Sequence, residues 1–318
     1  MTRSCEHRER IGLATTHEAA SRPLFIVGAP RSGTSLLYKA LCLHPAVGYI
    51  SNWVRRYPGI PQLAVLNRVA RRFPGLQWAT WFGSDSNAYV YSSPRSWARR
   101  AFPMPVEGEP LYSRCGIPGQ AGHVPPEAAH AQITALRSAF ASLQRYGGGD
   151  CVVSKRIANN SRIGLLHHAF PQARFVEIIR DGRAVAYSLA RVDWWPSSVI
   201  WWYGGSPKQW QEEGGDPWEL CARSWVEEVE AVEAGLAALP HESVLRIRYE
   251  HLVRALVPTL SELARFAGLP PDARWSQRLG QLERPVADEA WRHRLAPTDL
   301  ATIERVQSPT LRRRGYDA

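Results

Sequence analysis

Pro23-Leu-Phe-Ile-Val-Gly-Ala-Pro-Arg-Ser-Gly-Thr-Ser-Leu-Leu-Tyr-Lys-Ala-Leu-Cys-Leu43 is the stretch on which the fold turns. Pro23 to Gly28 reads as a short buried strand, because Leu24–Val27 is an unbroken apolar run. Ala29 to Gly33 is a turn. Thr34–Leu43 reads as a helix, with Leu36, Leu37, Ala40, Leu41 and Leu43 at helical spacing, and His44-Pro45 stops it. A strand, a glycine-bearing turn and a helix together make an anion cradle. The first N–H groups of the helix lack partners within it, and its dipole is positive at that end. Gly28-Ala-Pro-Arg-Ser-Gly-Thr-Ser35 nearly matches the triphosphate loop GxxxxGK[ST], but Thr34 stands where the lysine belongs. Arg31 instead supplies a fixed cation inside the loop, suited to a single phosphate. The same residues also suit an ordinary strand-turn-helix corner.

Outward from this unit the alternation recurs. Glu127–Arg145 reads as a helix ended by Gly147-Gly-Gly149. Cys151–Ser154 is a strand, Asn160–Phe170 a helix and Arg174–Arg180 a strand. Asp181–Arg191 and Pro217–Leu239 are helices, Val244–Arg248 a strand and Pro258–Ala267 a helix. Short apolar strands alternating with helices imply an α/β fold, a parallel sheet flanked by helices. Residues 1–21 form a polar lead-in. Residues 22–318 form a single domain with Trp-rich loop insertions at about 51–126 and 193–216. Within the first insertion only Leu63–Phe73 reads as a helix; the rest reads as loop.

The chain has 318 residues, 45% hydrophobic and 21% charged, which excludes wholesale disorder. No run approaches the roughly 18 apolar residues of a membrane span, and no secretory leader is legible. The expectation is a soluble, cytoplasmic protein with no transmembrane segment. The formal charge of +10 suits an anionic partner. Only Lys39, Lys155 and Lys208 are lysines; the remaining basic residues are arginines. Cys5, Cys42, Cys115, Cys151 and Cys221 are scattered and never spaced as CxxC, which argues against a disulfide framework and a zinc site.

A second motif is Arg174-Phe-Val-Glu-Ile-Ile-Arg-Asp-Gly-Arg-Ala-Val-Ala-Tyr-Ser188. The strand ends at Arg180, and Asp181 can cap the next helix. Asp181 and Ser188 are two helical turns apart and share a face. Arg180 and Ser188 can therefore converge on a second phosphate at the carboxyl end of the sheet. Alone, the motif equally suits a cap and an ion pair. Together the two motifs describe a nucleotide with two separate phosphate groups.

The pair resembles the sulfotransferases that use 3′-phosphoadenosine 5′-phosphosulfate (PAPS). Gly28–Ser35 resembles the family's 5′-phosphosulfate loop, and Ile179-Arg-Asp-Gly-Arg-Ala…Ser188 its 3′-phosphate motif. Arg248-Tyr-Glu-His-Leu-Val253 and the closing Arg314-Gly-Tyr-Asp317 resemble later segments. The Arg-bearing loop is closer to the tyrosylprotein, carbohydrate and bacterial branches than to the cytosolic Lys-bearing branch. The resemblance implies the P-loop nucleotide-kinase-like sulfotransferase fold, with PAPS as cosubstrate, adenosine 3′,5′-bisphosphate (PAP) as product and no metal. It implies that Arg31, Ser32, Gly33, Thr34 and Ser35 hold the 5′ end, and that Arg180 and Ser188 hold the 3′-phosphate. Tyr249 is a further nucleotide contact by the same match. Lys155 resembles a family lysine that steadies the leaving phosphate, alongside Arg31.

The base departs from the pattern. The tyrosylprotein branch has a catalytic Glu seven residues after its His-Pro, and here that position is Ser51. Related bacterial members carry a Glu in a segment like Pro105-Val-Glu107, so Glu107 comes first and Glu109 second as the group that takes the acceptor proton. Both also suit solvated loop carboxylates. His44, His123 and Asp85 are weaker candidates, and His44 more readily caps its helix end. Of the tryptophans, Trp53, Trp78, Trp81 and Trp97 lie in the first insertion and Trp194, Trp195, Trp201, Trp202 and Trp210 in the second. Most suit a local core, and a few suit an acceptor pocket. The expected acceptor is a hydroxyl on a glycan, a glycolipid or a small natural product. An ATP-dependent small-molecule kinase and a non-catalytic nucleotide-binding relative are the alternatives. No nucleic-acid-binding motif is present.

Overall fold

A computed structural model describes residues 22–82, 100–117, 119, 130–282 and 289–317. Five strands, β1 (Leu24–Val27), β2 (Val47–Tyr49), β3 (Cys151–Lys155), β4 (Arg174–Ile179) and β5 (Val244–Arg248), form one sheet in the order β2-β3-β1-β4-β5. All four pairings are parallel. The main helices are α1 (Thr34–Cys42), α2 (His130–Gly147), α3 (Ile163–Ala169), α4 (Gly182–Leu189), α5 (Pro217–Ala237), α6 (Tyr249–Arg254), α7 (Leu256–Phe266) and α8 (Pro297–Arg313).

The two-residue period of the strands sorts their side chains into two cores. Leu24, Ile26, Val153, Val176 and Ile178 pack with α1, α6 and α7 on one face. Phe25, Val27, Val152 and Phe175 pack with α2, α3 and the end of α5 on the other. Continuous apolar strands are thus explained by burial on both sides, and the fold is the parallel α/β sheet flanked by helices that the alternation of strands and helices implied. The chain runs from β1 to β2 on one side, returns to β3, then crosses β1 to reach β4. The carboxyl ends of β1, β3 and β4 therefore meet in one crevice, where ligands bind in open parallel sheets.

Several elements differ from the sequence reading. The strand Val47–Tyr49 goes unread because it is three residues long and has glycine at its centre; it is buried and pairs with β3. The first insertion is largely helical where described: Asn52–Arg56, Pro61–Val65, Leu66–Arg72, Pro74–Phe82 and Glu109–Arg114. The sequence presents Pro61, Pro74 and Pro110 as breakers. Here each stands in the first turn of its helix, where a missing N–H costs nothing. The residues 1–21, 83–99, 120–129 and 283–288, with Cys5, Asp85, Trp97 and His123, lie outside the described residues. Among the described residues no helix is long and apolar enough to cross a membrane.

Two glycines set the loop after β1. A Cβ on Gly28 would lie 2.2 Å from the Ile178 carbonyl oxygen, and one on Gly33 would lie 2.4 Å from the Tyr249 ring. Gly33 also holds φ at 89°, a region L-residues rarely enter. Gly33→Ala should therefore lower stability by about 2 kcal/mol or more, read as a lower urea midpoint at unchanged slope.

Candidate active site

The loop from Gly28 to Ser35 leaves the end of β1 and enters α1 at Thr34. Arg31 is the one non-glycine among the described residues with positive φ, at 69°. Strain of this kind persists where surrounding contacts enforce it. No side chain caps α1, and its first turn has no acidic residue. The Ser32 hydroxyl is enclosed and has no hydrogen-bond partner among the described residues. Uncapped N–H groups and an unpartnered hydroxyl are the features an anion would satisfy.

The second motif meets this loop directly. Asp181 caps α4 by accepting from the Arg183 N–H at 2.9 Å. Arg31 Nε donates to Ser188 Oγ at 2.9 Å, and Arg180 donates to the Arg31 carbonyl oxygen at 3.0 Å. The Arg180 guanidinium lies 4.5 Å from the centre of the Tyr249 ring, the ring that faces Gly33. Arg31, Gly33, Arg180, Ser188 and Tyr249 thus form one cluster. Arg180 is buried, and among the described residues no carboxylate lies within ion-pair distance of it. A buried guanidinium without a counter-ion is costly unless something anionic completes it. The two closing segments also join. Glu250 accepts from the Asp181 N–H and from the Tyr316 hydroxyl, and Arg248 donates to the Arg314 and Gly315 carbonyls.

Lys155 is the last residue of β3, not the residue after it. Its ammonium is buried against the half-exposed Glu107 carboxylate. Glu107 reaches it because Pro105 bridges Ser51 and the Val106 N–H donates to the Ile50 carbonyl at 3.0 Å. Segment 104–106 thus lies antiparallel to the residues just beyond β2, and Glu107 stands two residues past the bridge partner of Ser51. Ser51 itself caps the helix Asn52–Arg56.

Glu109 has a different surrounding. Arg156, 1% exposed, grips it at 2.5 and 2.9 Å, and Ser113 donates to it at 3.0 Å. Arg156 also lies over the Tyr112 ring. His44 accepts from the Ala46 N–H, meets the Pro270 carbonyl and stands edge-on to Trp275; burial lowers its pKa. It is a packed helix-end cap. Trp81, Trp195, Trp202 and Trp210 belong to local cores, as most of the tryptophans were expected to.

The sequence reading missed Asn160 and Glu228. Asn160 joins the Gly28 backbone to Glu228, which is buried inside α5 and accepts from Asn160 at 2.6 Å and from Trp201 Nε1 at 3.1 Å. In sequence, Glu228 stands among Glu227, Glu230 and Glu233 and looks like part of a solvated helix face.

Three solved structures are similar at 15% identity. Sulfotransferase STF9 from Mycobacterium avium has a TM-score of 0.57 over 94% of this chain and 78% of its own. Sulfotransferase STF1 from Mycobacterium tuberculosis H37Rv has 0.56 over 92% and 77%. The sulfotransferase domain from the curacin biosynthetic pathway has 0.50 over 93% and 98%. At such identity the likeness defines the fold class, a P-loop-like α/β protein. A family model described as the Sulfotransferase family matches residues 23–273, and the chain belongs to that family. A search of curated proteins found no match. The kinase alternative gives way to this membership.

Burial pushes the Glu228 carboxyl up to about 7 from an ordinary 4.5, against the opposing hydrogen bonds. The folded chain then holds a proton that the unfolded chain releases. Its contribution is full below about pH 4.5 and is lost as pH rises through 7, by about 3 kcal/mol at most. Urea unfolding at pH 5 and pH 8 should show wild type losing about 2–3 kcal/mol more than Glu228→Gln over that interval. For the Arg156 pair, Glu109→Ala should cost about 1–3 kcal/mol, since it removes the partly exposed carboxylate that pairs with a buried guanidinium.

Proposed function

We propose that the protein transfers a sulfuryl group from PAPS to an acceptor hydroxyl. The observation that carries this reading is the meeting of Arg31, Ser188 and Arg180 beside an uncapped helix start. Two anion-seeking groups of the same crevice are joined, which suits one nucleotide with separate 5′ and 3′ phosphates. Ser32, Gly33, Thr34 and Ser35 with Arg31 would hold the 5′ end. Arg180 and Ser188 would hold the 3′-phosphate, with Tyr249 beside them.

PAPS supplies the activated sulfuryl group. The acceptor oxygen attacks sulfur, the bond from sulfur to the 5′-phosphate oxygen breaks, and the acceptor proton passes to Glu107. A sulfate ester and PAP result. Charge grows on the departing phosphate, and Lys155 and Arg31 stabilise it. Glu107 suits the base better than Glu109, because Arg156 grips both oxygens of Glu109 at 2.5 and 2.9 Å, whereas among the described residues Glu107 Oε2 meets only the Ile157 N–H, at 3.5 Å. The half-exposed Glu107 lies where an acceptor can reach it. A glycan, a glycolipid or a small natural product remains the acceptor class, and a cytoplasmic location fits the composition. Residues 22–318 act as one domain in this reading, since α8 packs on α4 and α5 of the sheet unit.

Calorimetric titration with PAP, run against Mg-ATP, tests the reading. Micromolar PAP binding, weakened about tenfold or more in Arg180→Ala, is the expected result. Preference for Mg-ATP would overturn it. With PAPS and an accepted hydroxyl, Glu107→Gln should cut kcat by about 10²–10⁴-fold. Full turnover in that variant would move the base elsewhere.

A further inference from the structure

The entry to the phosphate loop is held on two sides. On one side Gly28 lies against the Ile178 carbonyl of β4, so close that no side chain fits. On the other side the Asn160 amide takes both polar groups of Gly28. The Gly28 N–H donates to Asn160 Oδ1 at 3.0 Å, and Asn160 Nδ2 donates to the Gly28 carbonyl at 3.0 Å. A single side chain thus does what a neighbouring strand would do for that residue.

This clamp functions only with the amide in one orientation. Glu228 fixes that orientation. In its ionised form, which prevails above about pH 7, its Oε2 can only accept, and it does so from Asn160 Nδ2 at 2.6 Å. The amide nitrogen must therefore face Glu228 and the Gly28 carbonyl, leaving the amide oxygen for the Gly28 N–H. A flipped amide would set oxygen against oxygen at two places and N–H against N–H at the third. Glu228 is in turn oriented by Trp201 Nε1, which donates to Oε1 at 3.1 Å from the second aromatic stretch. Among the described residues Glu228 has no cationic partner, and both it and Asn160 are buried. An uncompensated carboxyl in the interior is costly, and an apolar side chain of similar size would pack there at less cost. Its role has to lie in what it orients.

We infer that Asn160, Glu228 and Trp201 form a positioning relay that fixes the start of the phosphosulfate loop and ties it to the aromatic stretch at 193–216. The inference rests on the PAPS reading for its effect on binding, but the geometric claim stands without it. Asn160 is a positioning residue: it touches loop backbone, not the reacting atoms. Small errors in loop placement are expensive where several N–H groups must point at one anion.

Two readouts test it together. The first is hydrogen exchange, followed by mass spectrometry, on peptides covering residues 24–37. Asn160→Ala should raise exchange in those peptides about tenfold while peptides of α7 stay unchanged. The second is PAP titration, with PAPS KM and kcat where turnover is measurable. Asn160→Ala and Glu228→Leu should weaken PAP about tenfold and raise the PAPS KM, with the acceptor KM unchanged. Glu228→Gln can keep its one acceptor oxygen for Asn160 Nδ2, at the loss of the bond from Trp201 Nε1, and should hold PAP affinity within about threefold of wild type. A merely structural role would lower the unfolding midpoint and the active fraction without this split or rescue. Should Asn160→Ala not fold, the two Glu228 variants carry both readouts. Unchanged exchange at 24–37 in the folded variants overturns the relay. So does PAP affinity within twofold of wild type in both Asn160→Ala and Glu228→Leu. Raised exchange in a protein whose wild type ignores PAP would uphold the relay and overturn the PAPS reading instead.

Discussion

The approach of Gly28 to the Ile178 carbonyl is the constraint on which the rest of the site depends. Register sets it: Val27 pairs with Glu177 in parallel strands, so the next residue of each chain comes opposite the other. Only a residue without Cβ can pass. Because β1 turns there against β4, Arg31 comes within reach of Ser188, and Arg180 within reach of the Arg31 carbonyl. The second glycine, Gly33, repeats the device against Tyr249 at the end of β5. Two positions without side chains thus bring the ends of three strands into one crevice.

The arginine-rich composition has a structural outlet. Arg156 is matched by Glu109, Arg183 by Asp181 and Glu304, and Arg314 by Glu177 and Glu233. These pairs tie helices to strand ends and leave little of their charge for a ligand. Arg180 differs, because its partners are a carbonyl and an aromatic face, both neutral. Such partners orient a guanidinium without cancelling its charge. The Lys155–Glu107 pair is different again. It sets an ion pair at the end of β3, with the lysine enclosed and the carboxylate partly open to solvent.

Particular residues show how far the sequence could be read. Gly28–Ser35 and Arg180–Ser188 declared themselves because loop chemistry depends on local order, with glycine, cation and hydroxyl at fixed spacing. The strand Val47–Tyr49 was hidden because three residues carry no period. Of the helices in 52–82, Leu66–Arg72 was legible within Leu63–Phe73; Pro61–Val65 and Pro74–Phe82 were hidden because their prolines mark starts, and starts and stops use the same residue. Glu107 was reached only through resemblance, since nothing local separates it from Glu109. Their different partners, Lys155 and Arg156, are adjacent in sequence but point to opposite faces of the sheet end.

The sequence by itself determined the parallel α/β sheet, the glycine-bearing turn from its first strand into α1, and the Asp181 cap that starts the helix after Arg180. Each of these follows from local periodicity and the residue types that a turn or helix start demands. Only the tertiary structure decided that Arg31 of the first motif meets Ser188 and Arg180 of the second, that Glu107 pairs with Lys155 two residues beyond the bridge partner of Ser51, and that Glu228 is tied to the loop through Asn160. Those relations join residues far apart in the chain through strand register and crossover. Register is set by which buried faces pack together, a property of the whole core that no single stretch of sequence carries.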